Sequence, residues 1–443
     1  MNSLFQKKLQ RTDLPPLLKK YFSGPEFPHE MPPERLAEFQ RESIKGIIGR
    51  AYERSPFYRE KMIRAGITPD DIVQLTDLKH FPFTAKDELR GKPWVLLACD
   101  QEDIALVQVS TGTTGGEEVY IMYTWEDYYV RELATGYPTL VPVERGDICL
   151  NALPYEMSSA GLAFHKCFME GCGATVIPAG KGGAYSTPAK TVKLLRTLRP
   201  TVVITTPSWA VTLAEAAAED GFDIAELPLK RMWLTGEGCS PAFRERVETI
   251  WNSTVNFYYG SLECGVIGIE CDEHNGYHIA QGHVVVEIVD KETEGVLEPG
   301  EIGEIVVSCL LRYDTPILRY RTQDLAYIDP DPCPCGVPFP RLFLRGRLTE
   351  QVVIRGVSFS PYYLEEFLMR LPEVGNWFQF VIGPSGADHL KVRVELAAGV
   401  DPSPELADSL ASRMEFGTGL PCEFEFVDRI PRSHGKTIRV VQE

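Results

Sequence analysis

The sequence predicts an α/β protein in two parts, a large N-terminal α/β domain with mostly parallel sheets plus attached antiparallel strands and a small C-terminal α+β domain. Three observations carry this prediction. Short β-branched runs alternate with helical patterns from about Ile104 to Val255, the order that builds a parallel sheet covered by helices. Near Val284 the alternation gives way to strand patterns that follow one another through a turn-rich link. Beyond Arg347 a fresh series of strands and helices begins, about a hundred residues long and so of ordinary domain size. A chain of 443 residues with 44% hydrophobic content also exceeds one compact domain.

In chain order, residues 1–100 read as a mainly helical lead-in. Leu36, Phe39, Ile44, Ile47, Ile48, Ala51 and Tyr52 recur at three- and four-residue steps until Ser55-Pro56 stops them, which predicts an amphipathic helix. Strands follow at IALVQV from Ile104, ATVIP from Ala174, TVVIT from Thr201, MWLT from Met232 and VNFY from Val255. The runs VVVEIV and EIVVS, joined through LEPGEIG, predict antiparallel structure attached to the α/β part. The large domain is expected to span 1–346. In 347–443, strand QVVI, a helix from Pro361, strands FQFVI and LKVRVEL, a helix through Leu406 to Met414 and strand EFEFV complete the chain. There is no internal repeat and no low-complexity stretch.

The formal net charge of −17 repels phosphate backbones and anionic bilayers, so no nucleic-acid or membrane partner is expected. No apolar run reaches 18 residues, and the stretch MNSLFQKKLQRTDLPP has no continuous apolar core of a secretion signal. A cytoplasmic location is the default expectation. The eleven cysteines are mostly single and in apolar surroundings, as at Cys149, Cys167, Cys172 and Cys309, which fits reduced core thiols.

Strand 104–109 runs into Ser110-Thr111-Gly112-Thr113-Thr114-Gly115-Gly116, where small residues free N–H groups and hydroxyls to converge on an anion. A Walker loop would lead into a helix, whereas VYIMYT reads as a second strand, so the segment is a hairpin-like loop. An ordinary Thr/Gly turn uses the same residue types and is the other reading of these residues alone.

Further segments in order place the loop in context. They are YERSPFYREKMIRAGITPDDI, LKHFPFTAKDELR, STGTTGG, GCGATVIPAG, TTPSWA, LTGEG, YYGSLE, PGEIGEI, RYRTQD, LRGRLTE and PRSHGK. In this set the sequence resembles the phenylacetate–coenzyme A ligase branch of the adenylate-forming superfamily, over nearly the whole chain. The resemblance implies ATP-dependent, AMP-forming activation of a carboxylic acid, aryl or arylacetic, followed by transfer to coenzyme A. It implies Ser110 to Gly115 as the phosphate loop, Lys436 as the lysine bridging carboxylate and phosphate, and Glu263 as a Mg²⁺ ligand, whose oxygens suit that ion. Asp324 would accept hydrogen bonds from the ribose hydroxyls. Arg347 would contact the nucleotide, and Gly236, Glu237, Tyr258, Tyr259 and Gly260 would line the adenine pocket.

The sequence departs from the branch at three places. Gly116, Glu117 and Glu118 follow the phosphate loop, where acids repel a triphosphate unless they point away. Leu262 stands in place of a hydroxyl residue, although Ser261 precedes it. Thr349 replaces a charged hinge residue. The acid pocket is expected to draw on Ser158 to His165 and on Trp209.

Cys333-Pro-Cys335-Gly336, with Cys271 and His278 in CDEHNGYH, offers four soft or borderline ligands in two loops. They suit a structural tetrahedral Zn²⁺, since four protein ligands leave no open position. Free thiols on surface loops are the other reading, and His274 could replace His278. Two further functional readings stay open: a synthetase that adenylylates a deazaflavin coenzyme without thioester formation, and a non-catalytic nucleotide-binding protein. The branch also implies a possible homodimer.

Overall fold

The computed structural model describes residues 20, 30–110, 116–128, 137, 139–157, 159–382, 388–432 and 437–442. Helix α1 (Pro33–Arg54) starts at a proline pair with Glu34 in its first turn and buries Leu36, Phe39, Ile44, Ile47, Ile48 and Ala51, the face its periodicity predicts. It stops before Pro56, which opens α2 (Pro56–Ala65). The short α3 (Lys86–Leu89) follows. Strands β1 (Ile104–Val109) and β2 (Tyr120–Thr124) pair antiparallel as a separate two-stranded sheet. That arrangement corrects the expectation that IALVQV heads the parallel series.

The parallel series begins with β3 (Ile148–Asn151), then α4 (Ser159–Lys166), β4 (Thr175–Pro178), α5 (Pro188–Leu198), β5 (Val202–Thr205), α6 (Pro207–Glu219), β6 (Arg231–Leu234), α7 (Pro241–Trp251) and β7 (Val255–Ser261). Three helix starts share one device: Thr187, Thr206 and Ser240 each cap by accepting a backbone N–H with the side chain, and a proline takes the first helical position. A Ser/Thr-Pro step thus fixes where each crossover helix leaves the sheet.

Antiparallel strands continue from β7: β8 (Gly265–Glu270), β9 (Tyr277–Ile279), β10 (Val284–Val289), β11 (Gly303–Cys309), β12 (Tyr320–Asp329) and β13 (Arg341–Arg347). All join one 11-stranded sheet in the order β10-β11-β12-β13-β9-β8-β7-β6-β5-β3-β4. Its parallel half, β4 to β7, and its antiparallel half meet at β7, which pairs parallel with β6 and antiparallel with β8. A strand with different partners on its two edges is where a cleft opens beside the sheet.

The C-terminal part holds the hairpin β14 (Val352–Ile354) and β15 (Val357–Phe359), then α8 (Pro361–Leu368), β16 (Val374–Ile382), β17 (Leu390–Leu396), α9 (Pro404–Thr418), β18 (Cys422–Phe426) and β19 (Val440–Gln442). Its four strands run in the order β18-β17-β16-β19. This part docks on α7 through polar groups. The N–H groups of Ser240 and Ala242 donate to Glu365 and Glu366 at 2.7 and 2.8 Å. Arg246 donates to the carbonyls of Met369, Leu371 and Val374, each at 2.7 Å, and of Gly375 at 3.1 Å. The carboxylates meet the positive end of α7, where the helix dipole favours them.

Candidate active site

A cavity of about 830 Å³ lies beside β7 and is closed by both parts of the chain. On its wall Asp324 of β12 faces Arg347 of β13 in register. Arg347 Nε donates to Asp324 Oδ1 at 2.7 Å, and the Tyr259 hydroxyl donates to Oδ2 at 2.7 Å. Burial and the Asp324 charge hold the Tyr259 hydroxyl well above its usual pKa, so it stays a donor. Gln323, next in the chain, has φ of 65°, strained backbone of a kind that gathers at functional sites.

Gly236, Glu237, Tyr258 and Gly260 line the same cavity. Their local reasons differ from those the sequence suggested. Gly236 has φ of 82°, which demands glycine. At Gly260 a Cβ would collide with the Gly265 carbonyl across the β7–β8 hairpin. The Glu237 carboxylate is engaged by Lys181 Nζ at 2.8 Å, Ser208 N at 3.2 Å and Ser208 Oγ at 2.9 Å. Burial opposes its charge, but Lys181 and Ser208 outweigh that and hold its pKa low.

Glu263 sits in the turn between β7 and β8 with its residue 4% exposed. Arg312 fastens that turn by donating to Glu263 O at 2.6 Å, and to Met122 O and Thr315 Oγ1. Ser261 Oγ accepts the Cys264 N–H at 3.0 Å and so closes the turn. Ser110 Oγ accepts the Val119 N–H at 2.9 Å, which joins the two ends of the glycine-rich loop. Thr111, Gly112, Thr113, Thr114 and Gly115 lie outside the described residues, as do Ser158 and Lys436. The acidic exit is oriented outward: Glu117 lies over Gly91, and neither Glu117 nor Glu118 lines the cavity.

Four cavity-lining cations were missed in the sequence: Lys86, Arg90, Arg312 and Arg439. Lys86 and Arg90 both face the cavity from α3 and its end. Their signal was present in PFTAKDELR, a segment read as a signature without a role for its charges. Of the expected acid pocket, Ala160, Ala163 and Phe164 line the cavity, with Phe164 edge-on to Tyr258 at 4.6 Å between centroids. Trp209 does not line it. It is 3% exposed inside the core, on the buried side of α6.

The ligand atoms of Cys271, His278, Cys333 and Cys335 all lie within 4.8 Å of one another. Cys271 Sγ is 3.7 Å from Cys333 Sγ, and Cys335 Sγ is 3.2 Å from His278 Nε2. His278 Nδ1 lies 3.2 Å from the Phe339 carbonyl. A donated N–H there leaves Nε2 as the free lone pair, the arrangement that orients metal-binding histidines. Burial lowers the His278 pKa to about 4, so the ring is neutral. His274 is elsewhere, with its ring between Glu248 and Glu270 at 3.4 and 3.6 Å, which removes it as the alternative ligand.

Comparison with known proteins agrees with this geometry. Residues 41–309 match the family model of the AMP-binding enzymes, and 356–443 match that of the AMP-binding enzyme C-terminal domain. The phenylacetate-coenzyme A ligase of Thermus thermophilus is 34% identical over 374 residues, 83% of each chain. That of Escherichia coli is 30% identical over 428 residues, 92% of this chain and 94% of its own. A 2-hydroxyisobutyryl-CoA ligase structure covers 98% of this chain and 94% of its own at TM-score 0.86 and 23% identity, a likeness of fold. The chain belongs to the AMP-binding enzyme family, on its phenylacetate-coenzyme A ligase branch.

Proposed function

We propose that the protein is an ATP-dependent, AMP-forming ligase that activates an aryl or arylacetic acid, phenylacetate-like, as its acyl-adenylate and transfers the acyl group to coenzyme A. The observation that carries this reading is Asp324, held between Tyr259 and Arg347 on the wall of a cavity closed by both parts of the chain. A two-oxygen acceptor fixed in this way suits a pair of ribose hydroxyls. Gly236, Tyr258 and Gly260 would then face the adenine, with Glu237 behind them as a pinned support. Ser110 to Gly115 would take the phosphates, and the acid would enter along Ala160, Ala163 and Phe164.

In the first step an oxygen of the acid's carboxylate bonds to the α-phosphorus, and pyrophosphate leaves with the electron pair. Lys436 would steady the negative charge shared by the two reactants, which is worth most in a water-poor site. In the second step the thiol of coenzyme A attacks the acyl carbon and AMP leaves. The proposal assigns 1–346 to an adenylation domain and 347–443 to a mobile lid that turns about Arg347 to Thr349 between the steps.

Two metal sites belong to the same proposal. Glu263 fits a Mg²⁺ ion, because its Oε1 is buried without a hydrogen-bond partner and lies on the cavity. Bound there, Mg²⁺ would neutralise charge on the phosphates. Cys271, His278, Cys333 and Cys335 fit a structural Zn²⁺ by donor set and by the backing of His278. A homodimer is carried over from the branch and a cytoplasmic location from the sequence pattern, and among the described residues no helix is long and apolar enough to cross a membrane. Deazaflavin adenylylation and a non-catalytic role are not favoured, since the curated relatives are coenzyme A ligases by name.

The test is pyrophosphate release over a panel of aromatic, arylacetic and aliphatic acids, with and without coenzyme A, for wild type and Lys436→Ala. Wild type should release pyrophosphate with an arylacetic acid and form thioester only with coenzyme A. Lys436→Ala should lose acid-dependent ATP–pyrophosphate exchange by at least about a hundredfold while still making thioester from supplied acyl-adenylate. Equal loss of both half-reactions would sink the Lys436 assignment, and pyrophosphate release with no acid of the panel would sink the ligase reading.

A further inference from the structure

The Glu263 carboxylate is 6% exposed, and its Oε1 has no hydrogen-bond partner. A buried carboxylate in that state is costly unless a cation stands beside it. Lys86 is that cation, with Nζ 3.4 Å from Oε1. The lysine side chain is 28% exposed, so it is the partner with room to move. Tyr320 lies on the same carboxylate, and burial together with the Glu263 charge pushes its hydroxyl well above the usual range.

The placement of Lys86 is built rather than accidental. Thr84, two residues earlier, forms a parallel bridge with Tyr320. Its N–H donates to Arg319 O at 2.9 Å, its carbonyl accepts from Arg321 N at 2.9 Å, and its hydroxyl donates to Leu318 O at 2.7 Å. Glu88 locks α3 by accepting the Ala85 N–H at 2.8 Å and the Lys61 ammonium at 2.6 Å. The Lys86 backbone is therefore fixed while four methylenes leave its ammonium mobile. Neighbouring cations have other tasks. Arg90 donates to Glu117 O at 2.9 Å and braces the exit of the phosphate loop, and Arg312 is committed to the Glu263 turn.

We propose that Lys86 is a substrate-binding cation. It pairs with Glu263, and it moves to the phosphates of ATP when Glu263 is neutralised by a divalent cation, so that it meets the leaving pyrophosphate. The proposal rests on the reading of Glu263 as a metal ligand. In the step it serves, the bond from the acid's oxygen to the α-phosphorus forms, and the bond from that phosphorus to the oxygen leading to the β-phosphate breaks. The electron pair stays on that oxygen, and Lys86 keeps all its protons.

The experiment measures equilibrium binding by calorimetry on the whole protein, with MgATP, magnesium pyrophosphate and AMP as probes. Wild type, Lys86→Met, Lys86→Arg and Glu263→Gln are compared, with the melting temperature of each recorded. Lys86→Met should lose about 10- to 100-fold in affinity for MgATP and magnesium pyrophosphate, the effect of one charge-assisted hydrogen bond, and change by less than about twofold for AMP. Lys86→Arg should recover most of the loss. Equal losses for all three probes, or none for any, overturn the proposal; Lys86→Gln replaces the methionine variant if that does not fold. If Glu263→Gln keeps an undiminished Mg²⁺ dependence of ATP binding, the reading of Glu263 fails and this proposal with it. If that dependence is lost while Lys86→Met binds as wild type does, only the role of Lys86 fails.

Discussion

Asp127 accepts the N–H groups of Tyr313, Asp314 and Thr315 at 3.0 to 3.1 Å, and it is 2% exposed. Burial first and the neighbouring Asp314 second raise its pKa to about 6, against the pull of Arg312 and the backbone donors. The folded protein therefore holds this proton more tightly than the unfolded chain does. Stability at Asp127 is gained as pH falls through 6 toward 4 and lost as it rises back through that window. Relative to Asp127→Asn, wild type should gain roughly 1.4 kcal/mol per pH unit over that range. Denaturant midpoints of both proteins at pH 7, 6 and 5 would show it, and a gap that does not change with pH would contradict it. Single residues also mark where sequence reading ended. Asp324 and Arg347 could be singled out by motif and do pair on the cavity wall, whereas Trp209 lies in the core, which an aromatic ring serves as readily as a ligand wall. Lys86 acquires its meaning from the bridge between Thr84 and Tyr320, and no local period encodes a contact over that distance in sequence.

Strands differ in how openly they declare themselves. VVIT of β5 is buried at all four positions and reads as a continuous apolar run, as a strand covered on both faces must. By contrast β12 and β13, YRTQDLAYID and RLFLRGR, mix charges into both faces, and sequence periodicity did not reveal them. Those charges include Asp324 and Arg347, which line the cavity, and charges placed there break the pattern that would have announced the strands. The loop between these two strands carries Cys333 and Cys335, which reach Cys271 and His278. A metal ion bound there would pin the hairpin at one end while Asp324 pairs with Arg347 at the other. Wild type should carry about one zinc per chain, and Cys333→Ser should lose it along with about 2–5 kcal/mol of stability, by analogy with the loss of a native cross-link. Elemental analysis with parallel melting curves checks this; a metal-free wild type with an unchanged variant would refute it.

At the scale of the molecule, the C-terminal part is held by directed polar contacts on both α6 and α7. Trp377 Nε1 donates to Glu215 at 2.6 Å, and Arg432 pairs with the same carboxylate at 3.1 Å, adding to the Arg246 carbonyl clamp. Arg246→Ala removes four hydrogen bonds made by one charged group, each of a kind worth about 1.5–3 kcal/mol when buried and unreplaced, though water repays part. The C-terminal part should then spend more time undocked. Proteolysis between residues 347 and 357 should quicken about tenfold or more, with the melting of the larger part little changed. Unaltered cleavage would show that docking rests elsewhere. A second set of long-range contacts bears on how the chain is made. Gln40 donates to Gln281 O, Tyr58 to Pro316 O, and Arg319 to Lys79 O and Phe81 O, so the helical lead-in is fastened to strands encoded far downstream. During synthesis at about 5–20 residues per second, the apolar face of α1 would wait roughly 10 to 50 s for its partners to emerge. A segment made well before its partners is thus sheltered late, and the protein's yield in a cell will depend on what guards that helix in the interval.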